Sequence, residues 1–227
     1  MTIELKNISK SYGEKEVIKD FFLSLPEKGT VCFFGKSGCG KTTLASIFGG
    51  IIEPDSGVII GTEKKKISVV FQEDRLLPWL NCRDNINLAA GRKDAFAELK
   101  YYDAEDIAKR YPRELSGGMK RRAALARATA YGGDVCILDE PFKGLDGELA
   151  EKSVKRISEV FDKGLIILIT HLPEEAAKMA DKVIFFKGIP LEITGEIDFD
   201  VPPKNRTESD IRKYSERISE IFRSGTV

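Results

Sequence analysis

The octet Gly35-Lys36-Ser37-Gly38-Cys39-Gly40-Lys41-Thr42 constrains this chain more than any other feature. It has the form G-x-x-x-x-G-K-[ST]. It stands between an apolar run, Thr30 to Phe34, and a helical stretch, Lys41 to Phe48. The chemistry explains the residue types. Glycines let backbone N–H groups turn inward without side-chain clash. The helix that follows points the positive end of its dipole at the same spot. Lys41 adds a mobile point charge, and the Thr42 hydroxyl can ligate magnesium. Gly35 through Thr43 is therefore expected to cradle a triphosphate.

The rest of the chain alternates strands and helices. Ile3 to Ile8 alternates apolar and polar residues and reads as a half-buried strand. Val58 to Ile60 and Ile67 to Phe71 read as strands that can pair with each other around Gly61 to Lys66. Val135 to Leu138 and Leu165 to Thr170 are continuous apolar runs, which suit central strands of a parallel sheet covered on both faces. Glu148 to Asp162 lies between them as a helix. Met119 to Tyr131 is a second helix, rich in alanine and arginine. Asp84 to Tyr111 has helical texture in short pieces, broken at Gly91 and Pro112. Val183 to Phe186 and Leu191 to Ile193 flank Lys187-Gly188 as a terminal hairpin. From Thr207 the tail carries Ile211, Tyr214, Ile218 and Ile221 on one helical face behind a Thr207-x-x-Asp210 capping pattern. That helix packs on the body or meets a partner.

Two further constellations sit at predicted strand ends. Cys136-Ile137-Leu138-Asp139-Glu140-Pro141 places two carboxylates directly after a buried strand. Asp139 is suited to hold magnesium, and Glu140 to polarise an attacking water. His171, the only histidine, follows the Ile166 to Thr170 run. The octet, the carboxylates and His171 all fall at C-terminal strand ends. In open α/β sheets that edge is where ligands bind.

Leu115-Ser116-Gly117-Gly118-Met119 opens a helix, with Leu115 standing 24 residues before Asp139. With the octet and the carboxylates in this order, the chain resembles the ATP-binding subunits of ABC transporters, from Ser11 to about Ile193. The resemblance implies an α/β fold. It would have a P-loop NTPase core with a mostly parallel sheet, an N-terminal antiparallel β subdomain and a small inserted helical subdomain. Residues 1–227 would form one ATPase domain, with the helical subdomain at about 73–118 and a C-terminal helix at about 205–227. It implies ATP and Mg2+ as cofactors. Tyr12 looks like the family's adenine-stacking aromatic. Gln72 looks like the glutamine that links magnesium and the attacking water to the helical lobe. Asp146 looks like the loop aspartate at the dimer seam, and His171 like the switch histidine. Thr42, Gln72 and Asp139 would hold the metal. Glu140, His171 and Gln72 would be catalytic. Two copies would dimerise head to tail, with Ser116, Gly117 and Gly118 of one capping ATP on the other. The chain departs from the family pattern at Lys120-Arg121-Arg122 and at Lys143-Gly144.

Gln72-Glu73-Asp74-Arg75-Leu76-Leu77-Pro78-Trp79-Leu80 resembles the same stretch in ATPases of nitrate, sulfonate and taurine importers, and in relatives carrying thiamine precursors. In the family this region lines the groove for the membrane subunit's coupling helix. Trp79 is either a contact there or a core residue. The resemblance thus implies transmembrane permease subunits, a solute-binding protein, and a peripheral place on the cytoplasmic face of the membrane. Exporter ATPases and non-transport ABC ATPases are the alternatives.

Composition narrows the partners. Lysine plus arginine number 36 and aspartate plus glutamate number 36, so no basic excess points to nucleic acid. No apolar run is long enough to span a bilayer. The opening residues lack the basic and apolar plan of a secretory signal. The four cysteines form no CxxC pair. Cys32, Cys82 and Cys136 read as core hydrophobes, whereas Cys39 lies inside the octet.

Overall fold

A computed structural model describes residues 2–91 and 94–224. The final three residues of the expected C-terminal helix lie outside the described residues. The strands and helices in chain order begin with β1 (Ile3–Tyr12), β2 (Lys15–Leu25), β3 (Gly29–Gly35), α1 (Lys41–Phe48), β4 (Ser56–Ile60) and β5 (Ile67–Val70). There follow α2 (Cys82–Ala90), α3 (Ala95–Tyr101), α4 (Gly117–Tyr131), β6 (Val135–Asp139) and α5 (Gly147–Val160). The chain continues with β7 (Leu165–Thr170), α6 (Pro173–Met179), β8 (Lys182–Lys187), β9 (Glu192–Asp198) and α7 (Glu208–Ser224). These elements fall into two compact units, Met1–Lys65 with Lys163–Val227, and Lys66–Asp162.

In the first unit β3 lies between β7 and β8 and runs parallel to both. β9 closes antiparallel on β8. Every residue of β7, and Thr30 to Gly35 of β3, is buried, as their unbroken apolar runs predict. Phe33, Phe34, Phe185 and Phe186 form the centre of this core, with edge-on ring contacts for Phe33–Phe186 and Phe34–Phe185. A separate antiparallel sheet has the order β2-β1-β4. In β1, Ile3, Leu5 and Ile8 are buried, and Glu4 and Lys6 form an ion pair. The tail helix α7 packs against α6. Tyr214 and Ile218 are buried, Tyr214 stacks on Phe199, and Phe222 meets Phe34 edge-on. Thr207 and Asp210 cap the helix as their spacing predicts: the Thr207 N–H and hydroxyl donate to the Asp210 carboxylate, and the Asp210 N–H donates to the Thr207 hydroxyl.

The second unit holds the parallel pair β5 and β6, with Ile67 opposite Val135. It also holds α2 to α5 and two single 3₁₀ turns, Glu105–Ile107 and Pro112–Glu114. α4 packs on α2 and α3, and its alanines at 123, 124, 126, 128 and 130 are buried, small side chains that permit close approach. Glu98 is buried in this unit and satisfied by Thr129 and Arg156.

One expected pairing is corrected. Val58–Ile60 and Ile67–Phe71 do not form a hairpin with each other. β4 pairs with β1, with Leu5 opposite Ile59, and β5 pairs with β6. Gly57 is the physical reason on the β4 side. At φ 93° its backbone lies so close to β1 that a Cβ would sit 2.4 Å from the Asn7 carbonyl oxygen. β2 and α6 had no counterpart in the sequence reading.

Candidate functional site

The buried strand β3 ends at Gly35, and the chain turns through Lys36–Gly40 into α1. The glycines are demanded by geometry. Gly38 and Gly40 have φ of 81° and 108°, where side-chain-bearing residues are strained. A Cβ on Gly35 would lie 2.4 Å from the Phe186 carbonyl oxygen. No side chain caps the N-terminus of α1, and no acidic residue occupies its first turn. Its leading N–H groups and dipole therefore favour an anion. Lys41 is 6% exposed. Its ammonium donates to the carbonyls of Gly35 at 2.8 Å and Lys36 at 2.9 Å, and lies 3.5 Å from the Cys39 sulfur. Lys36, Ser37, Gly38 and Thr42 are exposed and Thr43 half-buried, while the Cys39 side chain turns inward.

His171 directly follows β7. The register sets Thr170 opposite Phe34, so the histidine leaves β7 level with the start of the cradle on the adjacent strand. The turn after it is pinned by Thr170, whose hydroxyl donates to the Glu175 carboxylate and accepts from the Leu172 N–H. Tyr12 ends β1 and is 53% exposed beside the Gly13 turn. Asp55 steadies this end by accepting from Lys10 and from the Ser11 N–H, both at 2.7 Å. Those bonds hold its carboxyl below the ordinary aspartate range, the Lys10 hydrogen bond contributing most.

The remaining predicted residues belong to the second unit. Asp139, the last residue of β6, is 5% exposed. Glu140 follows with φ 46°, a left-handed backbone that costs a non-glycine residue about 1–2 kcal/mol. Its carboxylate pairs with the Lys143 ammonium at 3.2 Å. Ser116 caps α4 by accepting the Met119 N–H at 3.3 Å, and Asp146 caps α5 by accepting the Leu149 N–H at 2.9 Å. Ser116 and Gly117 are exposed at the start of the 15-residue α4. A Cβ on Gly118 would approach the Gly144 carbonyl oxygen at 3.2 Å.

Gln72 is exposed in the loop that follows β5. What holds that loop escaped sequence reasoning, which marked Arg121 only as a departure. Arg121 is 4% exposed, and its guanidinium donates to the carbonyls of Phe71 at 2.7 Å and Gln72 at 2.6 Å. Its Nε lies 3.2 Å from the Asp74 carboxylate. Arg127 donates to the carbonyls of Asp74 at 2.9 Å and Arg75 at 2.8 Å. Burial pushes the Asp74 carboxyl up, against the pull of Arg121, Lys120 and Arg127.

Asn85 was missed in the same way. It is buried in α2, its amide accepting the Leu77 N–H and donating to the carbonyls of Leu77, Leu80 and Asn81. It thereby braces the turn that presents Trp79, which is 69% exposed and so not a core residue.

Cys32, Cys82 and Cys136 are buried, as expected. Burial raises all three thiols, Cys82 to about 11, which keeps them protonated at neutral pH. Among the described residues no group of three or more His, Cys, Asp or Glu could hold a metal by itself. A magnesium ion carried largely by phosphate oxygens needs no such cage. No helix among them is long and apolar enough to cross a membrane.

Comparison with known proteins agrees with this chemistry. A family model described as ABC transporter matches residues 18–143. The chain is 35% identical to an aliphatic sulfonates import ATP-binding protein of Zymomonas mobilis, covering 89% of each. It is 32% identical to one from Burkholderia cenocepacia, over 97% of this chain and 87% of that protein. It is 31% identical to a nitrate import ATP-binding protein of Synechocystis, over 98% and 96%. Among solved structures it is similar to a dimeric ATP-binding cassette in a post-hydrolysis state bound to ADP and Pi. The TM-score is 0.77 and the identity 28%, over 86% of this chain and 98% of that one.

Proposed function

This chain belongs to the ABC transporter family, as an ATP-binding subunit that hydrolyses ATP, and on that premise we propose that it energises an importer of small oxyanions. Sulfonate and nitrate are the cargo of the named relatives; taurine is chemically of the same kind, and thiamine precursors are the remaining class. The observation that carries the ATPase reading is the glycine-built cradle at the end of β3, with His171 leaving the adjacent strand level with it.

Each residue then has a task. The N–H groups of Gly38 through Thr43 and the Lys41 ammonium bind the phosphates. Thr42, Asp139 and Gln72 would hold magnesium, which when bound neutralises phosphate charge. Glu140 accepts the proton of the attacking water, and its strained backbone fixes where the carboxylate points. His171 donates to the terminal phosphate. Tyr12 stacks on adenine. The start of α4, with Ser116, Gly117 and Gly118, caps the nucleotide of a second copy in a head-to-tail dimer, and Asp146 lies at that seam. Trp79, exposed and braced by Asn85, meets a transmembrane permease subunit. The chain works peripherally at the cytoplasmic face, with a solute-binding protein completing the system.

The test is phosphate release by the purified protein with magnesium, without any acceptor. The reading predicts release to water, at a rate per subunit that rises with protein concentration. Phosphate appearing only on an added acceptor would identify a kinase and overturn it.

A further inference from the structure

The loop from Phe71 to Arg75 has no regular structure, yet four of its carbonyls are held by two side chains of one helix. Arg121 takes those of Phe71 and Gln72, and Arg127 those of Asp74 and Arg75. The two arginines stand six positions apart on α4, a rise of about 9 Å, so the loop is lashed along the helix rather than at one point. A guanidinium is suited to this because its planar fork holds several donors in one fixed geometry, whereas the three donors of an ammonium sit on a single nitrogen at the end of a flexible stem. Burying a cation is costly unless it is paired. Arg121, 4% exposed, meets that condition with two carbonyls and the Asp74 carboxylate. The Arg75 guanidinium closes the loop on itself over the Phe71 ring, 3.9 Å from its centroid.

The same helix starts at Ser116. We propose that Arg121, seconded by Arg127, is a positioning residue that makes the Gln72 loop and the Ser116 end of α4 one rigid piece. A shift at either is then transmitted to the other. Arg121 acts through Gln72, whose carbonyl it holds. The inference rests on the reading of Gln72 given above.

A double-mutant cycle tests it: the full-length protein, Gln72→Ala, Arg121→Lys and the double variant. Each is assayed for ATP hydrolysis across ATP and magnesium concentrations, with a thermal melt to verify folding. Arg121→Lys keeps the positive charge but loses the planar fork whose three nitrogens face Phe71, Gln72 and Asp74 together. The expected result is a fall in kcat of about tenfold or more, with KM for ATP within about twofold and more magnesium needed for half-maximal rate. Because both act through one group, the double variant should be no slower than Gln72→Ala alone. Arg127→Lys, expected to act in the same direction more weakly, serves if Arg121→Lys does not fold. A wild-type kcat in Arg121→Lys, or losses that multiply in the double variant, would overturn the coupling alone. A wild-type rate in Gln72→Ala would remove the Gln72 assignment and this inference with it.

Discussion

Two short loops each leave the end of a parallel strand and carry residues assigned to nucleotide chemistry, and they are built in opposite ways. The loop after β3 is made from its own backbone. Gly38 and Gly40 supply conformations closed to other residues, and Lys41 folds back onto the carbonyls of Gly35 and Lys36. The loop after β5 has no glycine. Its backbone is held from outside, by arginines about 50 positions later in the chain. The first loop specifies its own shape. The second takes its shape from α4, so anything that moves α4 moves Gln72.

The difference predicts where substitutions hurt. Lys41→Ala should have the largest effect. It removes a buried charge whose hydrogen bonds are worth about 1.5–3 kcal/mol, so ATP affinity should drop roughly 100-fold in a titration by calorimetry. An affinity within about threefold of wild type would contradict a self-contained cradle. Gly40→Ala comes next. A Cβ at φ 108° is strained and would meet Val17 at 3.1 Å. It should cost about 1–3 kcal/mol in denaturant unfolding and weaken nucleotide binding as well. Unchanged unfolding would mean the loop does not need the glycine. The smallest effect on the isolated protein belongs to Trp79→Ala. At 69% exposure the ring contributes little to the core, so stability should stay within about 0.5 kcal/mol. ATPase stimulation by a reconstituted permease should nonetheless be lost. A large drop in melting temperature would return Trp79 to a structural role.

The contrast also explains what was legible in sequence. A self-specified loop is written contiguously, so Gly35 through Thr42 could be read directly, as could Asp139 and Glu140 behind an apolar strand. Ser116 and Asp146 show a limit. Both cap helices, a local duty visible in their position, and a capping serine or aspartate does not announce any second duty. Arg121 was visible as a departure, but nothing in its spacing says that its fork closes on Phe71 and Gln72. Pairing between distant segments was hidden for the same reason. β4 and β5 are near neighbours in sequence and looked like a hairpin, yet each takes a remote partner. In β2 the alternation is clean only from Phe21 to Leu25; the strand carries an extra residue between Ile18 and Phe21 against β1, which breaks the period-two pattern there.

The central claim is that ATP is bound by a preformed cradle and hydrolysed through Glu140. Glu140→Gln separates the two, since it keeps size and hydrogen bonding and removes the base. Hydrolysis and ATP-dependent dimer formation should be measured on the same preparation, by phosphate release and by size-exclusion chromatography. The account predicts a loss of hydrolysis of about 10²-fold or more, ATP affinity preserved, and a dimer that persists in ATP. Hydrolysis at the wild-type rate would contradict it.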